Sequence, residues 1–194
     1  MQSEYQLTLP PQTAESADVT VKPLLAGARA KLGFVPNMYA NMANGPGLLE
    51  AYLHGYELFR ATSGFTPVEQ EVVFLSISRQ NACDYCMAAH SFVADVMSKV
   101  PVTVTDAIRD DKPVPDAKLA ALADFSRTIV ATRGLPGRQD VEDFLAAGYS
   151  EKHVLGVVLA VSVKTLSNYS NHLFHTPVDP AFAARVWNSP SVAK

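Results

Sequence analysis

The chain has 194 residues, of which 48% are hydrophobic and 18% charged, and a formal net charge of -3. That balance suits one compact body with a substantial core and excludes extended disorder. Lys and Arg never gather into a basic stripe, so no nucleic-acid partner is expected. The opening MQSEYQLTLPPQTAESADV has no basic start followed by an apolar run, and no later stretch is long and apolar enough to span a bilayer. A cytoplasmic protein with no membrane partner is therefore expected. In that reducing compartment two cysteines three apart, in CDYC, point to redox or metal chemistry rather than to a structural staple.

In chain order, residues 1–22 are polar, carry Pro10 and Pro11, and read as an arm ahead of one all-helical domain over 23–194. After the turn NGPG, Leu48, Leu49, Tyr52, Leu53, Tyr56 and Phe59 recur at three- and four-residue intervals, which predicts an amphipathic helix ending near Gly64. Thr66, Pro67 and Glu69 supply a cap, a first helical position and a capping box for the next helix. This helix is expected to turn Val72, Val73, Leu75 and Ile77 inward and to run to about Gln80, with a break at Asn81. Another helix is expected from about Cys83 to Met97.

Val100 to Pro115 contains three prolines and reads as a connection with one short helical turn near Ala107. It divides an active half, about 23–99, from a second half, about 116–176. The VTVT at 102–105 is a strand signal too short to define a sheet. Beyond it, Leu119, Leu122, Phe125, Ile129 and Val130 trace one helix, and Val141, Phe144 and Leu145 trace another that closes at Gly148. Ser150 then opens a long apolar helix.

The two halves also resemble each other. GYSEKHVLGVVLAVSVKTLSNYS, from Gly148, can be laid over GFTPVEQEVVFLSISRQNACDYC, from Gly64, so that Val157 meets Val73, Leu159 meets Leu75, Ser162 meets Ser78 and Tyr169 meets Tyr85. This predicts an internal duplication. Ser167, Ser170, Phe174 and Leu155 then stand where the first copy has Cys83, Cys86, His90 and Glu71. The second copy keeps packing positions and lacks every reactive group, so the chemistry is assigned to the first.

On a helix, the spacing of Cys83, Cys86 and His90 puts all three on one face. A thiol in a first helical turn meets unpaired amides and the positive end of the helix dipole, which lower its pKa from about 8.5. Glu71 is the test of a catalytic arrangement. One unbroken helix would separate it from Cys83 by about 18 Å along the axis, so the chain must turn near Asn81 if Glu71 is to reach His90. A carboxylate there is expected to fix the imidazole tautomer, favour the charged ring and help draw a proton from a thiol.

The pattern E-x11-C-x2-C-x3-H formed by Glu71, Cys83, Cys86 and His90 resembles that of the AhpD-like alkylhydroperoxidases, within the carboxymuconolactone decarboxylase superfamily. The upstream LGFVPNMYANMANGPGLLEAY and the distal GYSEKHVLGVVLAVSVKTLSNYSNHL are also similar to segments of that family, so the resemblance covers nearly the whole chain. Some members carry a second histidine directly before the second cysteine; Tyr85 stands there, and that histidine's role is not carried over. The resemblance implies an all-α AhpD-like helical bundle, assembly as a dimer, trimer or hexamer, and peroxide reduction through a dithiol. Cys86 would attack a hydroperoxide and become a sulfenic acid, Cys83 would resolve it to a disulfide, and a dithiol reductant would reset the pair. His90 and Glu71 would relay protons, with no cofactor or metal expected.

Three other readings use the same residues. A zinc site would take Cys83, Cys86 and His90, with His172 or His175 as a fourth ligand. A lactone decarboxylase on the same scaffold would use Glu71 and His90 with idle thiols. An accessory protein would keep the dithiol for disulfide exchange. His54 and His153 read as solvated or cap-related, and Trp187 as a packing anchor.

Overall fold

The computed structural model describes residues 4–15 and 18–190, and helices account for all the regular structure among them. They are α1 (Val21–Leu32), α2 (Asn37–Met42), α3 (Pro46–Thr62), α4 (Pro67–Gln80), α5 (Asp84–Val93), α6 (Val102–Asp110), α7 (Ala117–Ala131), α8 (Arg138–Ala146) and α9 (Glu151–Phe174). A π-helical turn, Ala94–Ser98, continues α5, and a 3-10 segment, Pro180–Arg185, follows α9. No single helix among the described residues is long and apolar enough to cross a membrane.

The centre is α4, packed against α5, α6, α7 and α9. Its start is as the sequence predicts: Thr66 and Glu69 close a capping box, with the Thr66 amide donating to Glu69 Oε2 at 2.9 Å, and Pro67 opens the helix. Every residue from Glu69 to Ser78 is buried. Val72, Val73, Phe74, Leu75 and Ile77 have no exposed surface, and each contributes about 1.5 to 3 kcal/mol of apolar burial. Being enclosed on all sides, α4 holds Glu71 in the middle of the core.

The bend after α4 places α5. Asn81 is the last residue with helical backbone, and Ala82 takes the left-handed conformation at φ 53. The Cys83 amide then donates back to the Ser78 carbonyl at 3.0 Å, and the Ala82 amide to the Arg79 carbonyl at 3.0 Å. These bonds satisfy two carbonyls at the end of α4. The sequence puts the break at Asn81, and the left-handed residue is its neighbour. Asn81 instead ties the bend to α9, donating from Nδ2 to Asn168 Oδ1 at 2.9 Å.

Between Val100 and Pro115 the expectation of a connection with one short turn is corrected. Residues 102–110 form the nine-residue helix α6, started after Pro101 and ended by Asp111 at φ 59. The alternating VTVT that mimics a strand supplies a helical face: Val104, Thr105, Ala107 and Ile108 are buried. The arm lies on the body, with the Leu7 amide donating to the Leu173 carbonyl and the Gln12 amide to the Ala40 carbonyl. It gives way to helix at Val21.

The aligned segments of the two halves begin alike. Gly64 and Gly148 both have positive φ, and capping boxes follow at Thr66 and at Ser150. Thereafter they part, because α9 runs straight on to Phe174 where the first segment bends at Ala82. The shared start does not by itself show a duplication, and the bend that creates the thiol site has no counterpart in α9.

Candidate active site

Cys83 is the N-cap of α5 and Cys86 its third residue, where backbone amides lack helical partners. Both are free thiols, at 0% and 1% exposure. Cys83 therefore lies just outside the first turn in which the sequence sets it, while Cys86 occupies the stronger position for an anion. The Asp84 side chain accepts from the Ser189 amide at 2.9 Å, which ties the C-terminal segment to the start of this helix.

One turn on, His90 points back toward α4. Its Nδ1 lies 2.9 Å from Glu71 Oε2, and Glu71 is wholly buried. A carboxylate can only accept, so Nδ1 carries the proton and Nε2 keeps its lone pair. The other Glu71 oxygen accepts from Arg60 Nη2, which also donates to the Tyr56 hydroxyl at 2.6 Å. Arg60 lies over the rings of Tyr56 and Phe74, and Phe74 in turn packs on His90 at 4.8 Å between centroids.

Burial works against the Glu71 carboxylate, but His90 and Arg60 outweigh it and hold its pKa below the usual value. For His90 the balance differs from the sequence expectation. Burial lowers its pKa and the Lys164 charge lowers it further, and the opposing pull of Glu71 does not make up the difference. The ring beside the thiols is thus biased to the neutral form, fit to accept a proton at Nε2.

The two thiols are driven apart. Burial pushes Cys83 well up, and its hydrogen bond with Cys86 adds to that. Cys86 also suffers burial, but the Cys83 hydrogen bond and the Lys164 charge hold it well below the usual thiol value. A proton shared within the pair therefore rests on Cys83, and Cys86 carries the negative charge.

Residues of α9 complete the site. Asn171 Nδ2 donates to Cys86 Sγ at 3.3 Å, lies 3.9 Å from Cys83 Sγ and also meets Met38 Sδ at 3.2 Å. Ser167 Oγ stands 3.9 Å from Cys86 Sγ. Lys164, Ser167, Asn168 and Asn171 are buried at i, i+3, i+4 and i+7 along one stripe of this otherwise apolar helix. That spacing is the sequence signal that could have found them, and neither they nor Arg60 stand out from the CxxC pattern alone.

Tyr85 faces away from this group. Its hydroxyl donates to Asp179 Oδ2 at 2.5 Å, and Asp179 also accepts the Asn37 amide at 3.2 Å. The bond fastens α5 to α2 and to the segment after α9. His172 and His175 are exposed while the thiols and His90 are buried, so the four-ligand zinc set does not converge. Among the described residues no three His, Cys, Asp or Glu side chains are arranged to hold a metal ion. His153 accepts the Ser150 amide at 3.1 Å, the cap role expected of it, and Trp187 is buried with Nε1 donating to the Arg109 carbonyl.

No family model matches the sequence, and no curated protein matches it. Solved structures do match. The AhpD alkylhydroperoxidase core of an uncharacterised peroxidase-related protein from Ralstonia eutropha JMP134 superposes with a TM-score of 0.80 at 21% identity, over 93% of this chain and 97% of that one. A peroxidase-related protein from Silicibacter sp. TM1040 gives 0.77 at 19% identity, over 95% and 96%. A cysteine-to-alanine variant of the debrominase Bmp8, in complex with 2,3,4-tribromopyrrole, gives 0.75 at 16% identity, over 94% and 97%. The polypeptide therefore has the all-α AhpD-like fold.

Proposed function

We propose that the protein is a thiol-dependent peroxidase that reduces hydroperoxides through the Cys83–Cys86 dithiol. The observation that carries this reading is the polarised pair of sulfurs beside the buried Glu71–His90 contact at 2.9 Å. Cys86 thiolate attacks the terminal peroxide oxygen, the O–O bond breaks, and the departing alkoxide takes a proton from solvent to become an alcohol. Cys86 is left as a sulfenic acid. Cys83, giving its proton to His90 Nε2, then attacks the Cys86 sulfur; the S–O bond breaks, the departing hydroxide takes that proton from His90 and leaves as water, and the disulfide forms. Glu71 steadies the imidazolium that this step creates, and an external dithiol returns two electrons to reset the pair.

A lactone decarboxylase would have no use for two sulfurs held at different protonation states. The test is a thiol count before and after one equivalent of cumene hydroperoxide, without metal or added oxidant. Loss of both thiols with formation of one alcohol is expected. In Cys83→Ser the reaction should stop at a Cys86 sulfenic acid, and in Cys86→Ser it should not start. Unchanged thiols in the wild-type protein would refute the assignment.

A second acceptor class is favoured by the walls beside Cys86. Tyr39 and Tyr52 pack edge to face at 5.8 Å; burial raises both phenol pKa values, and the charge of Cys86 is a smaller contribution to the rise of each. An aromatic wall of this kind suits a bromopyrrole of the sort that Bmp8 binds. In that reaction the carbon–bromine bond breaks, carbon gains a proton, bromide leaves and the same disulfide forms. Bromide release from tribromopyrrole in place of alcohol from the hydroperoxide would select it.

A further inference from the structure

Lys164 is completely buried, and its amine pairs with no oxygen or nitrogen, while the Cys86 sulfur lies within its reach. It belongs to none of the ion pairs among the described residues. On α9 it sits one turn before Ser167 and two turns before Asn171, the residues whose side chains approach the sulfurs. The amine lies 5.5 Å from the centre of the Phe74 ring, which also packs against His90. The nearest carboxylate of the site, Glu71, is already committed to Arg60 and His90. A buried ammonium needs a counter-charge, and of the groups it faces, Cys86 is the one that can supply it.

We propose that Lys164 is the buried counter-ion of the Cys86 thiolate, and that it makes the Cys83–Cys86 disulfide strongly oxidising. The inference rests on the reading of the pair as redox-active. When the disulfide forms, Cys86 loses its negative charge while the ammonium stays where it is, enclosed and facing a neutral sulfur. The reduced protein is thus favoured over the oxidised one, and the resting state is the dithiol that attacks peroxide. The same asymmetry makes resetting easy, by the external dithiol and equally by two equivalents of a monothiol of the glutathione type. The fall in the Cys86 pKa that the Lys164 charge brings about fits this assignment.

The balance can be measured with glutathione and no peroxide. Cys83 thiol and Cys86 thiolate, with oxidised glutathione and one proton, give the protein disulfide and two reduced glutathiones; two electrons pass to the glutathione S–S bond, which breaks. Lys164→Met removes the charge and keeps the length of the side chain. It should shift the equilibrium toward the protein disulfide by at least tenfold, about 30 mV toward a more reducing potential. The pH at which Cys86 becomes alkylated should rise with it. Lys164→Gln gives the same reading should the methionine variant not fold. The wild-type protein should also melt at lower temperature as the disulfide than as the dithiol, with the gap closing or reversing in the variants.

An equilibrium constant that stays put or moves toward the dithiol in the folded variants would overturn the proposal, as would a wild-type disulfide form that melts no lower than the dithiol. These results are separable from the peroxidase reading. A protein that exchanges with glutathione as described but ignores hydroperoxide keeps the role of Lys164 and loses the peroxidase. One that reduces hydroperoxide with an unshifted Lys164→Met equilibrium does the reverse.

Discussion

His90 Nδ1 and Glu71 Oε2 meet at 2.9 Å across two helices joined by a tight bend, and both side chains are buried. The contact depends on α4 ending and α5 beginning within three residues, and on Arg60 holding the other carboxylate oxygen. Glu71 is the shared acceptor of two donors, so removing its charge disturbs both at once.

Glu71→Gln is expected to lower peroxide turnover by about a hundredfold or more, the usual scale for losing a member of a proton relay. It also leaves Arg60 facing a neutral amide in a mostly enclosed site, which costs on the order of 3 kcal/mol of stability. Urea unfolding checks the second figure. If turnover falls while the binding of hydroperoxide, seen as KM, is unchanged, Glu71 acts in the chemical step; a rise in KM alone would count against the relay.

Stability should fall as the solution is acidified, in two stages added to the loss that the depressed Cys86 thiol begins below the ordinary thiol value. His90 has its pKa lowered from 6.5, so below that value the unfolded chain takes up a proton that the native state refuses, and the slope of stability against pH is positive. Glu71 has its pKa lowered from 4.5 and adds a second loss from there downward, as its carboxylate is protonated more readily in the unfolded chain. Urea midpoints taken from pH 8 to pH 4 check this. His90→Gln should flatten the first stage and also shrink the second, because His90 helps hold the Glu71 pKa down; a midpoint that is level from pH 6.5 to pH 5 in the wild-type protein would contradict the assignment.

Much of this site was legible in the sequence because it is local. Cys83, Cys86 and His90 share one helix face by spacing alone, and the capping box at Thr66 announces the start of α4. Glu71 was legible only through a family pattern, since its contact depends on a bend that no single residue type dictates. What escaped notice is set by distant parts of the chain. Lys164 looks like an ordinary charge on an apolar helix until α9 is laid across the thiols, and Arg60 reaches Glu71 from α3. Asp179 meets Tyr85 across 94 positions, far beyond any local signal. The helix α6 was hidden for a different reason: prolines and a four-residue alternation surround it, and its amphipathic face shows only once α4 is there to receive it.

The bend itself offers a stabilising change. Ala82 sits at φ 53, a conformation that costs an L-residue about 1 to 2 kcal/mol and a glycine almost nothing. Ala82→Gly relieves that cost but loosens the unfolded chain by up to about 1 kcal/mol, so a net gain of about 0.5 to 1 kcal/mol is expected. A small rise in the urea midpoint with unaltered m-value is the outcome to look for. A loss of stability would mean that the Ala82 methyl contributes packing that outweighs its backbone strain.

The polarised sulfurs make a prediction about ordinary alkylation. Cys86 has its pKa held well below the usual value of about 9 and accepts a hydrogen bond from Asn171, while Cys83 is pushed well above that value. Iodoacetamide at pH 7, followed by peptide mass spectrometry, should therefore label Cys86 before Cys83, since only thiolate reacts. Both sulfurs are enclosed, so a bulky disulfide reagent should react slowly with the folded protein and fully once it is denatured. Asn171→Ala removes a donor from the Cys86 sulfur and should move its labelling profile to higher pH, leaving Cys83 as the slower site. Equal labelling of the two cysteines in the folded wild-type protein would mean that the proton does not rest on Cys83, and the order of attack and resolution proposed for the pair would have no basis.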